Sequence, residues 1–187
     1  LRVLSVDNFD PAAFPMLAGL SQLEHLDLSG SIIPDAIPDW IGNLTRLETL
    51  DLSDSFLSGS LPDSMGQLSR LRTLELSFNQ ISGRLPASLG QLSELEVLLI
   101  RGGSPLLQPR RLSGPLPVDF ANLTKLRALD LFWHQLSGPL PAGLAELDAL
   151  ESINLSGNDL SGPLPEDIVE LELQELFIGG NFLDSDD

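Results

Sequence analysis

Leucines restart the same pattern eight times along this chain. Units begin at Leu1, Leu23, Leu47, Leu71, Leu95, Leu126, Leu150 and Leu173, spaced 22, 24, 24, 24, 31, 24 and 23 residues apart. The unit from Leu71 to Glu94, LRTLELSFNQISGRLPASLGQLSE, shows the grammar most fully. Leu71, Leu74 and Leu76 read as the inward side of a short half-buried strand, with Arg72, Thr73, Glu75 and Ser77 on the free side. Ile81-Ser82-Gly83-Arg84-Leu85-Pro86 bars a helix, because Gly is costly inside one and Pro lacks the donor. Ile81 and Leu85 still anchor that stretch, which predicts a tight, extended return. Leu89, Leu92 and Leu95 then recur by threes, as a short helical or 3₁₀ turn requires.

One such unit cannot bury its apolar side alone, so stability has to come from stacking units into a solenoid. The expectation is an α/β-type solenoid forming a single domain over 1–187, in which seven to eight coils of about 24 residues each give one strand to a parallel sheet. Strands spaced about 4.8 Å apart make an array roughly 35 Å long, curved so that the sheet is the natural docking surface.

Composition narrows the partners. Ten Lys and Arg against 27 Asp and Glu give a formal charge of −17, which disfavours nucleic acid and anionic membrane for the surface as a whole. A basic or neutral partner is favoured. The chain has no Cys, hence neither disulfides nor thiolate metal sites. Its longest apolar run, Val97 to Ile100, is far too short for membrane insertion. Leu1 already stands at the first position of a unit, so the sequence reads as a fragment of a longer protein.

The return motif recurs as LSGSLP at Leu57 to Pro62, ISGRLP at Ile81 to Pro86, and LSGPLP at Leu112 to Pro117, Leu136 to Pro141 and Leu160 to Pro165. With the flanking leucines it closely resembles the plant-specific leucine-rich-repeat class, LxxLxLxxNxLSGxLPxxLGxLxx, over nearly the whole chain. The resemblance implies a right-handed superhelix with a parallel sheet on the concave face and 3₁₀ or short helical turns on the convex side. It also implies recognition rather than catalysis, as in receptor-kinase ectodomains, receptor-like proteins and polygalacturonase inhibitors. The implied partner is a protein or peptide ligand, or a cell-wall polysaccharide, and the implied location is extracellular. Such ectodomains usually carry paired-cysteine caps, and this sequence has none. That departure keeps open a cytoplasmic scaffold that merely spaces other domains.

Asn79, Asn158 and Asn181 recur where an inward amide can bond the backbone of neighbouring turns, and Ser31, Ser55 and His134 replace it in other units. Imidazole is expected to fit that ladder poorly, yet no partners surround His134 for catalysis, and His25 lies four strands away. No catalytic residue, metal site or cofactor is expected. The outward column is Ser5, Asp27, Asp51, Glu75, Leu99, Asp130, Asn154 and Phe177. Its carboxylates Asp27, Asp51 and Glu75 form either a solvated acidic face or an acceptor for a basic peptide or cation.

Phe78, Leu99, Phe132, Trp133 and Phe177 bring large apolar groups to free-face positions where other units carry Ser, Asp or Gly. Exposed aromatic clusters mark binding patches, the alternative being that an adjacent insertion folds over them. That insertion lies in the fifth unit, which takes 17 steps from Leu95 to Leu112 where the third takes 10 from Leu47 to Leu57. Its stretch 101–111 carries Arg101, Arg110 and Arg111, a basic loop on an acidic body that either binds or pairs with nearby carboxylates. Sequons at Asn43, Asn122 and Asn154 are glycosylation candidates in a secreted protein, and a glycan at Asn154 would block the sheet face. A regular serine column, Ser58, Ser82, Ser113, Ser137 and Ser161, leaves a weaker third reading as an ice- or carbohydrate-surface binder.

Overall fold

The computed structural model describes residues 1–103 and 111–184. Eight short strands, Val3–Ser5, His25–Asp27, Thr49–Asp51, Thr73–Glu75, Val97–Leu99, Ala128–Asp130, Ser152–Asn154 and Glu175–Phe177, pair in chain order as one parallel sheet. They are coils 1 to 8 below. The middle residue of each strand is apolar and turns inward: Leu26, Leu50, Leu74, Leu98, Leu129 and Ile153 are buried. The spacing of 31 residues across the insertion does not disturb the register, for Leu98 still pairs with Leu129 and Leu99 with Asp130.

On the opposite side run 3₁₀ helices, among them Asp39–Asn43, Asp63–Gln67, Ala87–Gln91, Val118–Asn122 and Ala142–Glu146, each entered from an extended proline. Proline suits that entry because it has no N–H to leave unpaired. A helical turn is bulkier than a strand, so the stack fans open on this side and the sheet becomes concave. Coil 1 departs from the grammar. Pro11–Gly19 is a nine-residue 3₁₀ helix capped by the Asp10 carboxylate, and it buries Phe14 and Leu17.

The returns are extended, as expected, but they also do something the sequence reading did not foresee: they pair. Ser113–Gly114, Gln135–Gly138, Asp159–Pro163 and Phe182–Asp184 form a second parallel ladder, and Ser58–Gly59 pairs with Gln80–Ile81. Ser113, Ser137 and Ser161 of the serine column lie within the longer ladder, and Ser58 within the two-stranded pair. Ser82 and Ser113 direct their hydroxyls to the carbonyls of Gly59 and Gly83 in the preceding coil. Ser58 likewise reaches the Pro34 carbonyl at 3.5 Å, so three of the five hydroxyls of the column contact backbone of the preceding coil.

The inward amides behave as a ladder. Asn79 Oδ1 accepts from the backbone N–H of Ser55 and Leu57, while its Nδ2 donates to the carbonyls of Leu52 and Leu76. Asn158 and Asn181 repeat the arrangement. His134 fits better than expected. Its Nδ1 accepts from the Leu112 N–H at 3.3 Å and its Nε2 lies 2.6 Å from the Ile100 carbonyl, so one neutral tautomer satisfies both partners.

Candidate functional site

The sheet register sets the site. Side chains at the third strand residue line up as Ser5, Asp27, Asp51, Glu75, Leu99, Asp130, Asn154 and Phe177, one per coil, facing away from the core. Most of the polar members close a local turn. Asp27, Asp51, Glu75, Asp130 and Asn154 each accept the backbone N–H two residues on. Partial burial pushes the Asp27 carboxyl up, but the Ser29 N–H and the Ser29 and Ser5 hydroxyls outweigh it and hold the group below its ordinary value. These caps explain why short acceptor side chains recur at the position. The second carboxylate oxygen of Asp27 accepts from the Ser5 hydroxyl, and that of Asp130 is engaged within the sheet face.

From coil 4 to coil 8 the face changes character and a groove of about 440 Å³ opens. Phe78, Leu99, Arg101, Phe132 and Phe177 all line it. Phe78 is 53 % exposed and Phe177 50 %, so neither ring is hidden in the core. The depth has a source that sequence reading missed. Ala128 and Ser152 put small side chains where Thr49 and Thr73 stand in earlier coils, and the floor drops there. Glu175 completes the far end. The signal was present as two small residues at matching repeat positions, but their effect depends on larger neighbours across the sheet.

Within the groove Arg101 Nε donates to Asp130 Oδ2 at 2.7 Å, and Asn154 Nδ2 donates to the same oxygen at 3.2 Å. Asp130 is only 7 % exposed, so the pair is partly desolvated and fixes the guanidinium in place. The carboxylate-pairing reading of the insertion therefore holds for Arg101. Arg111 instead lies over the Trp133 ring, 5.3 Å from its centroid. Arg110 and the rest of 104–110 lie outside the described residues. Trp133 does not line the groove. It is half-buried, with its centroid 5.6 Å from Phe132, and its Nε1 is buried with no hydrogen-bond partner among the described residues.

Phe78 and Trp133 share an unusual backbone. Their φ values are 61° and 64°, in the left-handed region, at the coil position that Asn8, Gly30, Asp54, Gly157 and Gly180 occupy elsewhere with the same sign of φ. Glycine, Asn and Asp adopt that conformation readily, whereas a bulky side chain costs about 1–2 kcal/mol there. Phe78, about half exposed, recovers a comparable amount through partial burial of its ring.

The three sequons fall in different settings. Asn43 and Asn122 are exposed at the ends of their 3₁₀ helices, away from the sheet. Asn154 is half-buried and its Nδ2 is engaged by Asp130, so a glycan on that nitrogen would break the bond and enter the groove. Among the described residues no group of His, Cys, Asp and Glu is arranged to hold a metal, and no helix is long and apolar enough to cross a membrane.

Comparison with known proteins places this geometry. The family described as "Leucine-rich repeat region" matches residues 1–135, and "Leucine Rich Repeat" matches residues 149–171. None of the curated proteins matches the chain. Among solved structures, the plant peptide hormone receptor RGFR1 in complex with RGF2 is similar at a TM-score of 0.87 and 30% identity, over 98% of this chain and 29% of that one. The Arabidopsis receptor kinase HAESA, in complex with the peptide hormone IDA and the co-receptor SERK1, is similar at 0.74 and 29% identity, over 98% of this chain and 33% of that one. A plant ice-binding protein shares the fold at 0.67 and 23% identity, over 99% of this chain and 73% of its own. The chain thus spans about a third of each receptor's length.

Proposed function

Because this chain belongs to the leucine-rich-repeat family, in its plant-type form, we propose that it is a non-catalytic recognition segment that binds a protein or peptide ligand on its concave face. The observation that carries this reading is the groove of coils 4 to 8, where Phe78, Leu99, Phe132 and Phe177 converge on positions that the repeat grammar leaves to water. Apolar groups held at half exposure gain free energy when a partner covers them, at about 25 cal/mol per Å². Arg101, fixed by Asp130, supplies a directional donor inside that apolar frame.

Two further observations favour the same reading. The receptors similar to this chain are described with peptide hormones bound, which supports a peptide ligand in preference to a polysaccharide. Asn43 and Asn122 stand exposed on the side away from the sheet, where glycans of a secreted ectodomain would leave the groove open. Extracellular placement follows from that reading.

The test is selection of a random peptide library on the purified protein, with a Phe132→Ser, Phe177→Asp double variant as counter-target after circular dichroism shows it folded. The expected result is a set of peptides retained by the parent and lost on the variant. Peptides that bind both proteins equally would remove the groove as the contact surface.

A further inference from the structure

The charges around the groove say which peptides it takes, an inference that rests on the peptide-binding reading above. Among the described residues the cations of the sheet face at coils 4 to 6 are already paired, and Arg111 lies beside the groove over the Trp133 ring. Arg101 is held by Asp130, Arg72 by Glu96 at 2.9 Å and Arg127 by Glu151 at 2.6 Å. The carboxylates are not matched in return. Glu75 pairs in register with Leu99 at the coil 4 end of the groove, and Glu175 lies at the coil 8 end. Neither forms an ion pair among the described residues; Glu75 Oε1 accepts from the Ser77 N–H, and Glu175 Oε2 accepts from the Ser152 hydroxyl. Beyond Glu75 the same column continues with Asp51 and Asp27. The apolar groups of the groove, with the Arg101–Asp130 pair and Asn154 among them, thus lie between two carboxylates that have no ion-pair partner among the described residues.

We propose that the occupant is an extended peptide lying across the strands, with an apolar centre and a basic side chain on each side of it. Four strand spacings separate coil 4 from coil 8, about 19 Å. An extended chain advances about 3.3 Å per residue, so the two basic residues stand about six positions apart. Leucine or phenylalanine between them fits against Leu99, Phe132 and Phe177. A polyanionic polysaccharide meets unmatched carboxylates at both ends and is disfavoured.

Fluorescence anisotropy with labelled nonapeptides on one Gly-Ser scaffold tests this. The first probe carries Arg at its second and eighth positions and Leu-Phe in the centre. The second replaces both Arg with Glu, the third replaces Leu-Phe with Ala-Ala, and the fourth keeps the composition but places both Arg at one end. The expected result is that the first binds roughly tenfold tighter than each of the others, and that this margin over the second shrinks when salt rises from about 50 mM to about 300 mM. Glu75→Gln with Glu175→Gln, which keeps the capping oxygens, is expected to remove most of the preference for the first probe over the second. Equal binding of the first and fourth probes would reduce the effect to the net charge of −17 and overturn the spacing. Equal or tighter binding of the Glu probe, tighter binding of labelled trigalacturonate, or no binding of any peptide up to about 1 mM, a Kd worth only about 4 kcal/mol, would overturn the inference outright. Peptides that show no charge preference yet are lost on Phe177→Ala would sink this inference while leaving the peptide-binding reading in place.

Discussion

Phe78 sets folding and recognition against each other within one residue. Its φ of 61° suits Gly, Asn or Asp, its ring is half in water, and it walls the groove. Phe78→Asn relieves backbone strain of about 1–2 kcal/mol and loses a comparable amount of partial burial. The variant is therefore expected to melt within about 3 °C of the parent, while its affinity for a groove ligand falls roughly tenfold. A large loss of stability, read by thermal unfolding, would mean that the ring serves the core. His134 poses a different question. Burial pushes its pKa down; the Ile100 carbonyl opposes this, Arg111 adds to it and Asp130 opposes it. As pH falls, the unfolded chain takes up this proton before the folded one, so the contribution to stability is whole above about pH 6.5 and is lost on descending toward the folded pKa. Asp27, lowered from 3.8, belongs to a separate window near and below that value. His134→Asn restores the usual ladder amide and is expected to flatten the urea-unfolding profile between about pH 5 and pH 7. An unchanged slope would assign the acid sensitivity elsewhere.

The element that links fold to site is the turn after the coil 5 strand, where the chain departs into its insertion. Gly102 donates its N–H to the Phe132 carbonyl at 2.7 Å, and a Cβ built on it would stand 2.0 Å from the Trp133 carbonyl oxygen. Only glycine allows coils 5 and 6 to approach so closely beside an insertion. Gly102→Ala has to push two coils apart, and an overpacking cost of about 2–3 kcal/mol is expected. In a chain of this length that is a fall of roughly 4–12 °C in Tm by calorimetry. Arg101 and Phe132 flank this contact, so weakened ligand binding is expected alongside. A variant with parental Tm would show that the two backbones move apart freely. The second ladder of return segments explains why Gly and Ser recur between the leucine and the proline: each return stacks on its neighbour, with Ser hydroxyls reaching the preceding coil. The repeat consensus displayed those residues plainly, but pairing between them involves positions some 22 apart and has no local signature.

For the whole molecule, the solenoid's linear build predicts graded stability. Each coil contacts chiefly its neighbours, so the middle is supported on both sides and the ends on one. Leu4 in coil 1 and Leu176 in coil 8 are only partly buried, whereas Leu50, Leu74 and Leu98 are fully enclosed. Amide hydrogen exchange is expected to be slowest for the strands of coils 3 to 6 and faster toward both ends. Uniform protection along the sheet would mean that the stack opens only as one unit. The sequence alone determined the parallel sheet, the 3₁₀ side, the eight coil starts and the outward column, because a period near 24 returns the same residue type to the same radial position. It also marked Phe78, Leu99, Phe132 and Phe177, since large apolar residues stood where the grammar expects polar ones. Tertiary structure alone decided that these four share a groove with Arg101 while Trp133 packs beside it under Arg111. It also decided that Ala128 and Ser152 make the floor and that Asp130 consumes the nearest cation. Those outcomes depend on side-chain size and charge across strands 24 to 31 residues apart, and a one-dimensional pattern carries the repeat of a position but not the fit between its neighbours.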